Sequence, residues 1–290
     1  MTRVSKSIHP RQLLLATDLS PRGDRALERA MQLAAQWGAE LHVVNVIENE
    51  LLPDPYLRRE IATREGEAEA MVAPLAKRAG IGTRVHVVVG GAASAVIETA
   101  MSKRVGLVVM APAAYEAIAT VVLGSTVERV LRHAEQPVLV VKRRCAGPYR
   151  SILVAVDLSD ASALALRRAL ELFPGARFTV VHAFETPFSA FMASASLEPE
   201  MREAHLTQLA ALIERETARF SGAEPPKISA VIESGRADEA VGRHLVAAQA
   251  DLVVLGTHGL TGVRRAVIGS TCERLIETLP CDVLAVRPPT

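Results

Sequence analysis

Gly256-Thr-His-Gly259 is followed by nine residues and then by Gly269-Ser270-Thr271, a spacing that suits an anionic ligand. Glycines let the backbone take positive φ and come close to a ligand, so their N–H groups can point at anionic oxygens. Ser270 and Thr271 open what reads as a helix, and the free N–H donors, hydroxyls and dipole of a helix N-terminus favour phosphate. Upstream, Asp157 in Val156-Asp-Leu-Ser159 is a carboxylate that could accept hydrogen bonds from a base or a ribose. Arg264 and Arg265 inside the loop would offset phosphate charge, although an exposed basic pair on a loop reads equally well. Packing or solvent exposure explains His258 at least as well as phosphate contact. A tight loop with a helix cap and no ligand is the competing reading of the glycines.

Such residues need a scaffold, and the pattern around them supplies one. In the second half, apolar runs near 150–156, 177–183, 228–232, 251–256 and 282–287 read as strands. Helical stretches near 160–172, 197–220, 237–249 and 270–279 lie between them. Leu252-Val-Val-Leu255 is apolar at every position, as expected of a strand buried on both faces in a parallel sheet with helices on each side. Five parallel strands with right-handed crossovers make a doubly wound, Rossmann-like α/β unit. Ligands of such sheets bind beyond the C-terminal strand ends where the strand order reverses. If the first and fourth strands flank that point, Asp157 and Gly256 face one crevice.

The pattern occurs twice. Gly-Ser-Thr-Val-Glu-Arg-Val-Leu at 124–131 recurs as Gly-Ser-Thr-Cys-Glu-Arg-Leu-Ile at 269–276, an offset of 145. The same offset relates Val138-Leu-Val-Val141 to Val283-Leu-Ala-Val286, and Gly90 to Gly235. Near the start of each half, Leu14-Leu-Ala-Thr-Asp-Leu-Ser20 matches Leu153-Val-Ala-Val-Asp-Leu-Ser159. The chain therefore reads as two tandem Rossmann-like units, 1–147 and 148–290, each with a five-stranded parallel sheet flanked by helices. Arg143-Arg-Cys-Ala-Gly-Pro-Tyr149 fits a short linker with a Gly-Pro breaker.

Val-Asp-Leu-Ser after the first strand, and G-x-x-G-x9-G-S/T after the fourth, resemble the universal stress proteins of the ATP-binding type. The resemblance covers nearly the whole chain as two copies. It implies an adenine nucleotide, ATP with or without Mg2+, in the second copy. Asp157, Ala155 and Ala183 would lie near adenine and ribose, and Gly256, Gly259, Gly269, Ser270 and Thr271 would hold the phosphates. The family has a small residue or Val where this chain has Ala183.

The first copy departs from the motif. Its four loop residues are Ala111-Pro-Ala-Ala114, so both approach glycines are gone and Pro112 has no N–H to donate. An alanine held at positive φ would cost about 1 kcal/mol or more. Ala119 and Thr120 stand where Arg264 and Arg265 do, and Ile118, Val121 and Val122 make the segment apolar. Asp18 and Gly124-Ser125-Thr126 survive. This half reads as apo, structural or partner-binding, with a weakened or different ligand still open.

Function classes are bounded by composition. Thirty-three basic and thirty-two acidic residues give a net charge of +1 without long runs of one sign, which argues against nucleic-acid or membrane partners. The N-terminus lacks an apolar signal core, and no segment reaches the roughly 18 apolar residues of a membrane helix, so the expected location is cytoplasmic. Cys145, Cys272 and Cys281 lack metal-ligand or CxxC spacing and read as plain thiols. Three functions stay open: a nucleotide-dependent regulatory protein read by an unidentified protein partner, a ligand-free scaffold, and a slow ATP hydrolase. HIGH-type, SGGxDS-type and Walker A signatures are missing, as is a general base. The fifth strands of the two copies would pair them as an intramolecular pseudo-dimer, with a further homodimer undecided. Two excursions remain: 49–59, where Pro53-Asp-Pro-Tyr56 is turn-like, and 186–199, where Phe188, Phe191 and Met192 could cover the crevice or start the next helix.

Overall fold

The computed structural model describes residues 9–48, 53–115, 121–185, 197–220, 226–257 and 268–288. The chain divides into two compact units, Met1–Pro148 and Tyr149–Thr290. The first runs β1 (Gln12–Ala16), α1 (Asp24–Trp37), β2 (Glu40–Ile47), α2 (Asp54–Ala79), β3 (Thr83–Val89), α3 (Ala92–Ser102) and β4 (Leu107–Met110). It continues with β5 (Ala114–Tyr115), β6 (Val121–Val122), α4 (Ser125–His133) and β7 (Val138–Val140). The second runs β8 (Ser151–Val156), α5 (Asp160–Leu172), β9 (Arg177–Phe184), α6 (Leu197–Thr217), β10 (Lys227–Ser234), α7 (Ala237–Ala247), β11 (Leu252–Gly256), α8 (Ser270–Thr278) and β12 (Asp282–Val286). In the second unit every expected strand and helix is present, with ends displaced by at most three residues.

Within each unit the main-sheet pairings are parallel. The order is β7-β4-β1-β2-β3 in the first and β10-β9-β8-β11-β12 in the second. The first and fourth strands of each unit are neighbours, so the strand order reverses between them, and a doubly wound sheet opens its crevice there. Leu13 to Leu15, Leu107 to Val109, Ile152 to Val154 and Leu252 to Val254 are wholly buried, because helices cover both faces of these central strands.

Local chemistry sets the ends of the elements. Helix α1 stops at Gly38 and α2 at Gly80, both left-handed (φ 63° and 67°), a conformation that costs glycine little. Ser159 caps α5 by accepting a hydrogen bond from the Ser162 backbone N–H. The turn expected at Pro53-Asp-Pro-Tyr56 is instead the start of α2. Pro53 is its N-cap and Pro55 sits in the first turn, where a missing N–H costs nothing. The 143–147 segment is also more firmly held than a plain linker: Arg25 donates to the Lys142 carbonyl at 2.6 Å and Arg29 to the Gly147 carbonyl at 2.7 Å.

Candidate functional site

Ala155, Asp157, Ala183, Gly256, Gly269, Ser270 and Thr271 line one crevice of about 320 Å³ in the second unit, at the C-terminal ends of β8, β9 and β11. Gly259, with His258, Arg264 and Arg265, lies outside the described residues, as do Phe188, Phe191 and Met192. Val181, Ala237, Val241, Leu255 and Leu275 add an apolar wall, and Asp157 is the one charged side chain among the described lining residues. Ala155 and Ala183 put small side chains at the ends of β8 and β9. The strand ends face the start of α8, where Ser270 and Thr271 are exposed.

Two expectations about the glycines change. Neither Gly256 nor Gly269 has positive φ; Gly269 is extended at φ −61°, ψ 139°. Gly256 is needed for closeness instead, since a Cβ there would lie 3.1 Å from the Ala161 carbonyl and 3.2 Å from the Ser162 nitrogen. Gly256→Ala must therefore push α5 aside, at a cost of about 1–3 kcal/mol readable as a lowered melting temperature. Gly269→Ala meets only the Thr257 carbonyl oxygen, at 3.8 Å, and should melt as the parent does. The Gly269 N–H is also committed, donating to the Thr257 carbonyl at 3.0 Å. An anion would therefore be met by the first-turn N–H groups of α8, beginning at Ser270 and Thr271, because the first intrahelical bond is Glu273 N–H to the Gly269 carbonyl.

Asp157 has a structural task that its residue type alone does not reveal. Its Oδ1 accepts from the Ser159 backbone N–H at 3.1 Å and from the Ser159 hydroxyl, bracing Leu158 at φ 66°. Asp18 does the same for Leu19 (φ 61°) through the Ser20 N–H at 3.0 Å. A leucine in the left-handed region costs roughly 1–2 kcal/mol, and the Asx turn offsets part of that. The survival of Asp18 in a copy without the glycine loop thus has a sufficient structural cause.

Around the crevice, Asp238 ties α7 to α8. Arg236 binds it through two nitrogens at 2.9 and 3.1 Å, and Arg274 reaches it at 2.8 Å. The hydrogen bond from Arg236 leads in holding the Asp238 carboxyl far below the usual range. Cys272 also lines the crevice, and burial pushes its thiol well above the ordinary value.

The first unit has a crevice of similar size, about 320 Å³, with different walls. Asp18, Arg22, Glu48, Ala111, Pro112, Ala113, Ser125 and Thr126 are among its lining residues. Here the altered loop folds back as a hairpin, β5 on β6, closed by Ala113 N–H to the Leu123 carbonyl. Gly124 is the glycine at positive φ (81°), and the Ala113 methyl lies 2.6 Å from where its Cβ would stand. That methyl closes the space beside Gly124, whereas Ser125, the first residue of α4, is exposed as Ser270 is. The substitution of Ala111 for glycine carries no φ penalty, since Ala111 is not at positive φ.

Two doubly wound units, each with a crevice at its switch point, define a tandem α/β protein of the Rossmann-like fold class. The universal stress protein family model matches residues 10–142 and again 148–287, and the chain belongs to that family as a two-copy member. A universal stress protein of Thermus aquaticus, from the 3' region of a QAH/OAS sulfhydrylase gene, is 34% identical over 143 residues. These are 48% of this chain and 99% of the relative. Among solved structures, a universal stress protein from Archaeoglobus fulgidus superposes with a TM-score of 0.71 at 22% identity, covering 97% of this chain and 99% of the other. A putative universal stress protein from Pseudomonas aeruginosa gives 0.65 at 22% identity, covering 97% and 95%. At those identities the structures speak for the fold. No helix among the described residues is long and apolar enough to cross a membrane.

Proposed function

We propose that the second unit binds an adenine nucleotide, ATP with or without Mg2+, and that the chain is a nucleotide-dependent regulatory member of its family with one such site. The observation that carries this reading is the convergence of Ala155, Asp157, Ala183, Gly256, Gly269, Ser270 and Thr271 on a single crevice, with the open N-terminus of α8 at its rim. Its volume falls within the roughly 300–1,000 Å³ usual for small-molecule sites. The base and ribose would lie over the small residues of β8 and β9, with Asp157 accepting from hydroxyls, and the phosphates would meet α8. Gly259 completes the motif by sequence. Mg2+, if it accompanies the nucleotide, would find Asp157 as the one carboxylate among the described lining residues. That set supplies no separate general base, so the reading is of binding, with a partner protein sensing occupancy.

Ala111-Pro-Ala-Ala114 in place of the glycine loop, with Pro112 lacking an N–H and the Ala113 methyl packed beside Gly124, supports a first unit that does not take the same ligand. Calorimetric titration of nucleotide-free protein with ATP and Mg2+ should therefore give one site per chain. Two equivalent sites would overturn the asymmetry. No binding by folded protein would leave the scaffold reading.

A further inference from the structure

A second cavity, of about 380 Å³, lies at the other end of the first unit's sheet. Gln12 and Glu40 begin β1 and β2, Arg84 is the second residue of β3, Ser102 ends α3, and Lys103 and Arg104 follow it; with His42 they line it. We propose that this cavity is a binding site for a phosphoryl-type dianion, separate from the crevices at the strand C-termini and independent of the nucleotide reading.

Charge favours an anion. Three cations face one carboxylate, and Glu40 is held by Arg84, Nε to Oε1 at 2.6 Å. Among the described residues neither the Lys103 ammonium nor the Arg104 guanidinium has an ion-pair partner, and both are exposed. Behind them His42 is only 3% exposed, yet its buried Nε2 has no hydrogen-bond partner. The nearest carboxylate oxygen, Glu40 Oε2, is 3.6 Å away, too far for a hydrogen bond. On the other side of the ring, Nδ1 lies 2.8 Å from His86 Nε2, so one of those nitrogens donates. Glu40 beside Nε2 selects the tautomer in which His86 donates and His42 keeps its Nε2 proton. That proton is a buried donor without a hydrogen-bond partner on a residue that lines the cavity, a costly arrangement in the absence of a ligand.

The second unit is an internal control, because it builds the same sheet without any of these groups. Strand register places Ser151 at the position of Gln12, Arg177 at Glu40, Thr179 at His42, Ser229 at Arg84 and Val231 at His86. The end of α7 carries Ala248 and Gln249 where α3 is followed by Lys103 and Arg104, and Gln249 and Arg104 share positive φ (47° and 51°). Backbone geometry is thus kept while the charges are not, so the fold does not require them. Burial, aided by Lys103 and Arg84, holds both histidines below their usual pKa. A bound dianion would offset those cations and raise the pH at which the rings titrate.

The test is NMR of the full chain with 15N-labelled histidine, titrated with inorganic phosphate and separately with acetate. The His42 and His86 ring signals should shift saturably with phosphate. Lys103→Ala combined with Arg104→Ala, at exposed positions where folding is not at risk, should raise the half-saturating concentration about tenfold or more. An unsaturable drift, or an unchanged midpoint in the double variant, overturns the proposal. Equal response to acetate overturns the dianion assignment.

Discussion

Ser270→Glu should lower ATP affinity about 100-fold while leaving the fold slightly more stable. Ser270 is the first residue of α8, exposed, and its N-cap Gly269 provides no side-chain hydrogen bond. A carboxylate there complements the helix dipole, worth about 0.3–1 kcal/mol. For a phosphate bound at the same N-terminus, the new charge is a competitor. Two like charges about 5 Å apart repel by roughly 3 kcal/mol at an effective dielectric near 20, which is about a hundredfold in affinity. Calorimetry and a thermal melt on the same variant separate the two effects, because a cap with no ligand would show only the second. Unchanged affinity with a raised melting temperature would remove α8 from the nucleotide site.

Glu216→Ala is the substitution expected to cost most in stability. This carboxylate on α6 is wholly buried and takes hydrogen bonds from Arg167 at 2.8 Å and Arg215 at 3.0 Å, with Arg219 at 3.5 Å. Arg167 comes from α5, so the cluster pins the two helices together. Removing one partner of a buried pair costs about 3–5 kcal/mol. Arg215 and Arg219 are more than half exposed and are screened by water, which places this loss near the lower figure. Burial alone would raise the Glu216 pKa, but the hydrogen bonds from Arg167 and Arg215 outweigh it and the net shift is downward. A lowered folded pKa means that the contribution is complete above the ordinary glutamate value, about 4.3, and is lost as pH falls through the folded value. Denaturant titrations of parent and variant at neutral and acid pH should therefore converge on acidification. Parallel curves would show that Glu216 is not the acid-labile group.

The strands and helices were legible because their chemistry is local. Leu252 to Leu255 are apolar at every position, and Gly38 and Gly80 mark helix ends that only a left-handed residue completes easily. The crevice was legible through position: the ends of β8 and β11 and the start of α8 must meet in a sheet of this order. Less visible were features set by partners distant in sequence. Gly256 reads as a turn glycine, yet its constraint is the approach of α5. Asp157 reads as a ligand contact, and its bond to Ser159 emerges only with Leu158 in the left-handed region. The hairpin of β5 and β6 leaves little trace in Ala-Tyr and Val-Val segments of two residues each. His42 and His86 stand 44 residues apart, and nothing in their spacing announces a stacked pair.

The backbone bond at the base of each loop has an engineering consequence. In the second unit Gly269 N–H closes onto the Thr257 carbonyl, and in the first Ala113 N–H closes onto the Leu123 carbonyl, so the chain leaves and rejoins the scaffold at a fixed mouth. A loop anchored at both ends can be lengthened at about 0.6 kcal/mol of closure entropy per doubling of its length, provided that in the first unit the insert leaves the β5–β6 pairing in place. Evolution and the protein engineer are thereby offered the same cassette: residues between the anchors can be exchanged for a different recognition element, with two mouths on one chain to carry two different inserts.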